Sequence, residues 1–254
     1  MNPQHIELVK NTVPVLRESG VTLTSYFYQR MLNNNPELNN VFNLDHQNTG
    51  RQPRALAAAV LAYAENIENP SVLAKAIEHI TTKHVSLDIR PEQYAIVGEN
   101  LLHSISEVLN VPMESDLIAA WKEAYLQLAD ILIGVEKQKY ENLAAQNGGW
   151  AGWRAFEITS IEATENGKRF TIKAQDGNDV ISAKSGSFIS VKVAVPNKEI
   201  QQPQQFTFAD DQTSQVYNFT VQPEVNGTEF SVANILLEQY KVNDVVQVSA
   251  PLKR

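Results

Sequence analysis

Apolar residues recur with a helical period through the first 145 residues of the chain. Spacings of three and four residues place side chains on one face of an α-helix, so such stripes predict buried helix faces. They predict an opening helix that is kinked or divided near Pro14, and further helices over about 21–33, 52–67, 69–87, 91–108 and 115–145. The first part of the chain is therefore predicted to be entirely helical.

The period changes to that of β-strands after Gly148-Gly149. The runs that follow are short and rich in β-branched and aromatic residues: RAFEITSIEAT, KRFTIKAQ, SFISVKVAV, VYNFTVQPE and DVVQVSA. Turn signals such as Asn166-Gly167 separate them. This spacing predicts a closed antiparallel barrel or sandwich, with one short helix at about 232–239. The sequence thus predicts two domains, over residues 1–147 and 148–254.

Composition narrows the classes of partner and metal that the chain can bind. A net charge of −8 argues against nucleic acid and anionic membranes, because both need a basic binding face. Cysteine is absent, so a metal would have to be held by histidine, by carboxylate or by a cofactor ring. No apolar run approaches the roughly 20 residues that span a bilayer, and the first residues do not form a secretory signal. We therefore expect a cytoplasmic protein.

Five histidines occur in the sequence, and His84 is the one that continues a helical apolar stripe, after Ile77 and Ile80. A helical protein without cysteine that bound a haem would need such a histidine on a buried helix face. Helical spacing alone does not decide its role, because a buried histidine is more often a hydrogen-bonded core residue than an iron ligand. Both interpretations of His84 stay open at this point.

Several longer segments carry more information than any single residue. They are YFYQRML at 26–32, KHVSL at 83–87, RPEQYAIVGENLL at 90–102, AWKEAYLQLADILI at 120–133 and GGWAGWRAF at 148–156. On these segments the first 150 residues resemble the globin domain of bacterial flavohaemoglobins, the family that detoxifies nitric oxide. The resemblance implies a complete globin domain that binds haem b, followed by the family's linker.

On one side of the haem, the resemblance makes His84 the proximal iron ligand. It makes Glu136 the carboxylate that polarises this histidine, and Tyr94 the tyrosine that holds the carboxylate. A carboxylate that accepts the imidazole proton raises electron density on the iron, which favours activating oxygen over storing it. Without the resemblance, Glu136 would more simply be an exposed helix charge beside Lys137 and Lys139.

On the other side, the resemblance implies a polar pair, Tyr28 and Gln52. A tyrosine hydroxyl and a glutamine amide can both donate hydrogen bonds to an oxygen ligand. Leu56 takes the place of an apolar gate, and Phe42 is expected to pack against the ring face. Plainer interpretations exist as well, since Phe42, Leu56 and Tyr28 would be core residues in many folds. Gln52 could be an exposed helix start.

The second domain resembles the flavin-binding barrel of ferredoxin-reductase-like proteins more weakly. The flavin motif of that family, Arg-x-Tyr-Ser, corresponds here to Gln204, Gln205, Phe206 and Thr207. A neutral amide at 204 replaces the arginine that neutralises the flavin diphosphate, so the prediction is a barrel without a functional FAD site. No glycine-rich phosphate loop occurs in the sequence, so NAD(P) and the family's NAD-binding domain are not expected either. An alternative is that the barrel holds flavin through other contacts.

The predicted function is a haem globin that binds O₂ and NO and converts NO to nitrate with electrons from a separate reductase. Its catalytic residues would be Tyr28, Gln52, Tyr94 and Glu136. The alternative is a sensor or carrier of gas or haem, in which the barrel serves as a protein-interaction or dimerisation module. A homodimer is compatible with either hypothesis.

Overall fold

The structure is a computed structural model that describes residues 1–253, with the backbone alone at residue 48. Arg254, with which the predicted second domain ends, lies outside the described residues. The α-helices are α1 (Pro3–Asn11), α2 (Val13–Asn34), α3 (Leu44–Asn48), α4 (Arg51–Glu65), α5 (Ala74–Ser86), α6 (Pro91–Leu109), α7 (Asp116–Ala144) and α8 (Val232–Gln239). Short 3-10 helices lie at Pro36–Asn40 and Pro70–Leu73.

Local sequence sets several of the helix ends. Asn2 caps α1, because its side-chain oxygen accepts a hydrogen bond from the backbone N–H of His5 at 2.8 Å. Pro14 stands in the first turn of α2, where a missing N–H is tolerated, so the opening helix is divided near Thr12. Gly50 precedes α4 with φ of 69°, a left-handed conformation that glycine adopts without strain.

The second part of the chain forms a six-stranded antiparallel sheet. The strands are β1 (Trp153–Thr164), β2 (Gly167–Ala174), β3 (Phe188–Ala194), β4 (Gln201–Thr207), β5 (Tyr217–Val221) and β6 (Val245–Ser249). Their order in the sheet is β4-β3-β6-β1-β2-β5. A register shift between Ile158 and Ser160 bends β1 where it pairs with β2. The fold class predicted from the sequence, helices followed by an antiparallel β-structure, is confirmed.

The sheet encloses an apolar core to which alternate residues of its strands contribute. Phe156 and Ile158 of β1, Phe170 of β2 and Val191 of β3 have no exposed surface. Burial of such side chains contributes roughly 1.5–3 kcal/mol each, so this core dominates the stability of the sheet. The side chains of α8 pack against the same core, and α8 spans the residues predicted for it.

Packing divides the chain into two compact units. The first contains Met1–Glu37, His46–Thr81 and Arg90–Val135, and the second contains Leu38–Asp45, Thr82–Ile89 and the chain from Glu136 onwards. The second unit thus includes two short segments that lie among the helices in sequence order. The domain boundary predicted after residue 147 stays a prediction. Among the described residues, no helix combines the length and the apolar character needed to cross a bilayer.

Candidate functional site

A histidine–carboxylate pair lies in the second unit. Nδ1 of His84, in the last turn of α5, is 2.7 Å from Oε1 of Glu136 on α7. The Glu136 side chain is only 3% exposed, so the carboxylate is not the surface helix charge that its lysine neighbours suggest. A carboxylate oxygen can accept from an N–H at Nδ1, and in that tautomer of the neutral ring Nε2 is the nitrogen with the lone pair. A ring fixed in this way is suited to hold a metal through Nε2.

The segment that carries His84 is held by its own neighbours in the second unit. Nζ of Lys139 donates to Oγ1 of Thr82 at 2.9 Å, and the Tyr140 hydroxyl donates to the carbonyl of Ile89 at 2.8 Å. Val85 is buried in an apolar cluster with Tyr140 and other side chains. The two hydrogen bonds and the cluster restrain the turn on both sides of His84. Sequence analysis did not identify these supporting residues, because their partners are more than 50 positions away.

The polar pair predicted for the other side of the haem lies in the first unit. Tyr28, on α2, is buried and meets the ring of Phe27 edge to face at 4.9 Å. Burial raises the pKa of Tyr28 well above its ordinary value of 10, so the hydroxyl stays protonated and able to donate. Gln52 is also buried, in the first turn of α4, so it is not an exposed helix start. Its Oε1 accepts a hydrogen bond from Nε2 of Gln47 at 2.6 Å, which leaves the amide NH₂ as its donor end.

The three remaining predicted residues are placed as follows. Leu56 is half-buried on α4 of the first unit, and Tyr94 is buried on α6 of the same unit. The carbonyl of Tyr94 accepts a hydrogen bond from the Tyr125 hydroxyl at 2.6 Å, which ties α6 to α7. Phe42 is half-buried and belongs to the second unit. The predicted link from Tyr94 to Glu136 stays a prediction.

The short segment around Phe42 is tied to strand β4 and to the loop before α8. Asn43 donates through Nδ2 to the carbonyl of Pro203 at 2.8 Å, and the backbone N–H of Leu44 donates to Oε1 of Gln202 at 2.7 Å. Asp45 accepts from the backbone N–H of Thr228 at 2.7 Å. Phe42 therefore sits on a segment whose position is set by polar contacts within the second unit.

The residues at the place of the flavin motif form a cluster of neutral donors around a carboxylate. Nε2 of Gln204 donates to Oε1 of Glu224 at 3.1 Å, and the Ser231 hydroxyl donates to Oε2 of Glu224 at 2.7 Å. Ser231 is also the N-cap of α8, and the backbone N–H of Ala233 donates to Oε1 of Gln204 at 3.2 Å. The amide and hydroxyl groups at this edge can therefore hold an anionic oxygen without an arginine.

Comparison with known proteins gives matches over the whole chain. A family model described as Globin matches residues 25–132. A protein named Flavohemoprotein from Chromobacterium violaceum is 44% identical over 99% of this chain, which covers 63% of that relative. The chain thus spans less than two thirds of the length of this relative.

Two solved structures are also similar. An engineered carbene transferase made from an inferred nitric oxide dioxygenase of Rhodothermus marinus is 35% identical, with a TM-score of 0.53, over 57% of this chain and 99% of that one. A flavohemoglobin from Malassezia yamatoensis with bound FAD and heme has a TM-score of 0.87 at 24% identity, over 100% of this chain and 64% of that one. The likeness to the Malassezia yamatoensis structure shows that this chain has the same fold.

The expectation of a barrel without FAD is wrong. The match to a flavohemoprotein extends through the β-domain, and the fold is shared with a flavohemoglobin that holds FAD. The physical reason for the error is that only the lost arginine charge was counted. The neutral donors of Gln204 and Ser231 were not weighed, although both contact the carboxylate of Glu224, and the backbone N–H of Ala233 at the start of α8 in turn donates to Oε1 of Gln204.

The family follows from these findings together. The globin model covers much of the helical part, and the sequence match continues across the helices and the sheet. The contact between His84 and the buried Glu136 carboxylate joins two residues that the resemblance had singled out. The chain belongs to the flavohaemoglobin family.

Proposed function

We propose that this chain binds haem b through His84 and converts NO and O₂ to nitrate, taking up one electron for each turnover. The observation that carries the proposal is the 2.7 Å contact between His84 Nδ1 and the buried Glu136 carboxylate. A charge is buried at high cost unless it is paired, so this pair has to serve either stability or chemistry. A polarised imidazole is the ligand that haem chemistry with oxygen needs, and it fits the iron of a haem.

Haem supplies, when bound, the redox-active iron on which the oxygen chemistry depends. Glu136 accepts the Nδ1 proton of His84 and so keeps the ring in the tautomer that can hold the iron. Tyr28 would donate a hydrogen bond to O₂ bound in the site, and Gln52 would add the NH₂ of its side chain. Phe42 and Leu56 contribute apolar surface that limits access of water.

We also propose that the β-domain binds FAD. Gln204 and Ser231 would hold the diphosphate, because their side-chain donors now contact the Glu224 carboxylate, and the backbone N–H of Ala233 at the start of α8 donates to Oε1 of Gln204. Thr207, exposed at the end of β4, stands at the serine position of the family's flavin motif and would add a hydroxyl. FAD, when bound, supplies a site that passes electrons singly to a haem.

A spectrum of the purified chain tests both cofactors. We expect a haem Soret band, and flavin fluorescence in the supernatant after denaturation. His84→Ala should lose the haem and keep the flavin, whereas the exposed His79→Ala should keep both. A wild-type chain that is reconstituted with haem and shows no Soret band would contradict the haem proposal. An absence of flavin after incubation with FAD would contradict the flavin proposal.

Rapid mixing tests the reaction. Ferrous protein in aerated buffer is mixed with NO, and we expect ferric haem and one nitrate for each haem. Slow oxidation, or a product other than nitrate, would contradict the proposed activity.

The proposed electron donor is a separate reductase, so NADH alone should not reduce the haem. Reduction of the chain by NADH would contradict this part. The homodimer and the cytoplasmic location stay predictions.

A further inference from the structure

A hydrogen-bond relay joins strand β4 to the turn that carries His84. Nε2 of Gln205 donates to Oγ of Ser86 at 2.9 Å, and Oγ of Ser86 donates to the carbonyl of Lys83 at 2.7 Å. All of these residues belong to the second unit. Ser86 has no exposed surface, so water does not compete for its hydroxyl. The relay thus ends on the peptide group that directly precedes His84.

Gln205 occupies a special place in β4. It lies between Gln204, whose amide contacts Glu224, and Phe206, which is buried against the core of the sheet. Neighbouring residues of a strand point to opposite faces, so Gln205 points away from the face that Phe206 packs on. One strand therefore presents the flavin-motif donor and the contact to Ser86 at adjacent positions.

We propose that Gln205 is a positioning residue, which couples the flavin edge of β4 to the orientation of the His84 ring through Ser86. This inference rests on the proposed haem function of His84. A shift of β4 moves the Gln205 amide. If the Ser86 hydroxyl follows this amide, the carbonyl of Lys83 loses its hydrogen bond, and the last turn of α5 changes. If the hydroxyl stays in place, it keeps its bond to Lys83 but loses its donor, Gln205. His84 and its contact to Glu136 lie in that turn.

The relay has the properties that a coupling element needs. Its two hydrogen bonds use the Ser86 hydroxyl once as donor and once as acceptor, because its single proton goes to the carbonyl of Lys83 and a lone pair accepts from Gln205. Loss of Gln205 leaves the buried Ser86 oxygen without its donor, and loss of the Ser86 hydroxyl removes both hydrogen bonds. The sequence gives no signal for it, since 119 positions separate Gln205 from Ser86.

Two variants test the proposal in the full-length protein. Gln205→Ala removes the donor and Ser86→Ala removes the relay atom, while Gln201→Ala changes an exposed side chain of the same strand as a control. Amide hydrogen exchange over residues 82–89 is the first readout, and it does not need haem. Both variants should speed exchange there by roughly two- to tenfold, the effect of losing one hydrogen bond. The double variant should add little to Ser86→Ala, since that substitution alone already removes both hydrogen bonds of the relay.

The iron–histidine stretching band of the ferrous haem, measured by resonance Raman spectroscopy, is the second readout. We expect the band to shift or broaden in Gln205→Ala and in Ser86→Ala, and to keep its wild-type position in Gln201→Ala. A merely structural contact would change melting temperature and leave this band in place. Exchange and Raman spectra like those of Gln201→Ala would overturn the inference. A wild-type protein without haem would instead overturn the proposed function, and the exchange data would still decide on the relay.

Discussion

A carboxylate buried beside an imidazole is tolerated when the two share a hydrogen bond, and Glu136 meets this condition with His84. At the scale of single residues, the proposed chemistry depends on this pair and on the buried hydroxyl of Tyr28. Each can be changed by a substitution that keeps the shape of the side chain and removes one property. Charge and hydrogen bonding can thus be tested separately from packing.

Glu136→Gln keeps an oxygen that can accept from His84 but removes the negative charge. We expect the reaction of the ferrous protein with O₂ and NO to slow by roughly 10- to 100-fold, the range for loss of a group that orients a metal ligand. Stopped-flow spectroscopy of haem-loaded protein measures this rate. Glu141→Gln, an exposed change on the same helix, is the control. Equal rates in the two variants would contradict a polarising role for Glu136.

Tyr28→Phe removes one hydroxyl from a buried site. A hydrogen bond to a partly charged oxygen contributes about 1.5–3 kcal/mol, so we expect dissociation of O₂ to be roughly 10- to 100-fold faster. Flash photolysis or ligand replacement measures the rate. The exposed neighbour Tyr26→Phe should leave it unchanged. Because burial raises the pKa of Tyr28, the wild-type rate should stay constant from neutral pH to about pH 10.

At the residue scale, site residues could be identified from the sequence where they lie in or beside a contiguous motif. It singled out His84 and Glu136, which the structure brings to 2.7 Å, because His84 falls in a segment that matches the family and Glu136 follows three residues after another. It could not identify Ser86, Gln205 or Lys139, since their roles arise from partners far away in the chain. It also misjudged the flavin edge, because the charge lost at Gln204 is visible in a sequence and the contacts of the neutral Gln204 and Ser231 side chains to one carboxylate are not.

At the scale of elements, the close crossing of α6 and α7 depends on a glycine. A Cβ atom added at Gly98 would overlap the ring of Tyr125, whereas one added at Gly134 on α7 would meet open space. The Tyr125 hydroxyl is tied to the carbonyl of Tyr94, so the ring cannot readily move aside. These two glycines lie in similar helical surroundings and differ in what faces them.

Gly98→Ala should therefore destabilise the protein although alanine is the better helix former. We expect a loss of about 1–3 kcal/mol, the usual effect of overpacking. Gly134→Ala should instead raise the free energy of unfolding by about 0.5–1 kcal/mol. Urea titration followed by circular dichroism measures both. A stabilising effect of Gly98→Ala would show that α6 and α7 approach less closely than the structure indicates.

Elements with a strong period were predictable, and an atypical strand was not. The short helix predicted at 232–239 is α8, and the division of the opening helix near Pro14 is observed. Strand β4, with the sequence QQPQQFT, was not among the predicted strands, because it is polar and contains Pro203. The sheet order explains it, since β4 is an edge strand, where a proline and polar side chains are tolerated.

At the scale of the whole molecule, buried tyrosines make the free energy of unfolding change with pH in the alkaline range. Burial raises the pKa of Tyr63 from 10 to about 12, and its hydroxyl donates to the carbonyl of Ala124. Because the pKa of Tyr63 is higher in the folded protein than in the unfolded chain, its contribution to stability is fully present below the unfolded pKa of about 10. This contribution is lost as the pH rises towards about 12, because the unfolded chain then releases its proton first.

The advantage of the wild-type protein over Tyr63→Phe should accordingly shrink between pH 10 and about 12. Urea midpoints of the two proteins, measured at several pH values, give this difference. At neutral pH the variant should be less stable by about 0.5–1.5 kcal/mol, the contribution of one hydrogen bond. A difference that stays constant over the alkaline range would contradict the assigned shift.

The division into units, in which Thr82–Ile89 packs with the chain from Glu136 onwards, has a consequence for biosynthesis. While the ribosome is still making the later part of the protein, the turn around His84 has emerged without the residues that restrain it. At about 5–20 residues per second, roughly 6–24 s separate the synthesis of Ser86 from that of its partner Gln205, 119 positions later. If His84 holds the haem as proposed, nascent chains that stall in this interval should take up haem poorly, because the turn around His84 is completed only once translation has passed β4.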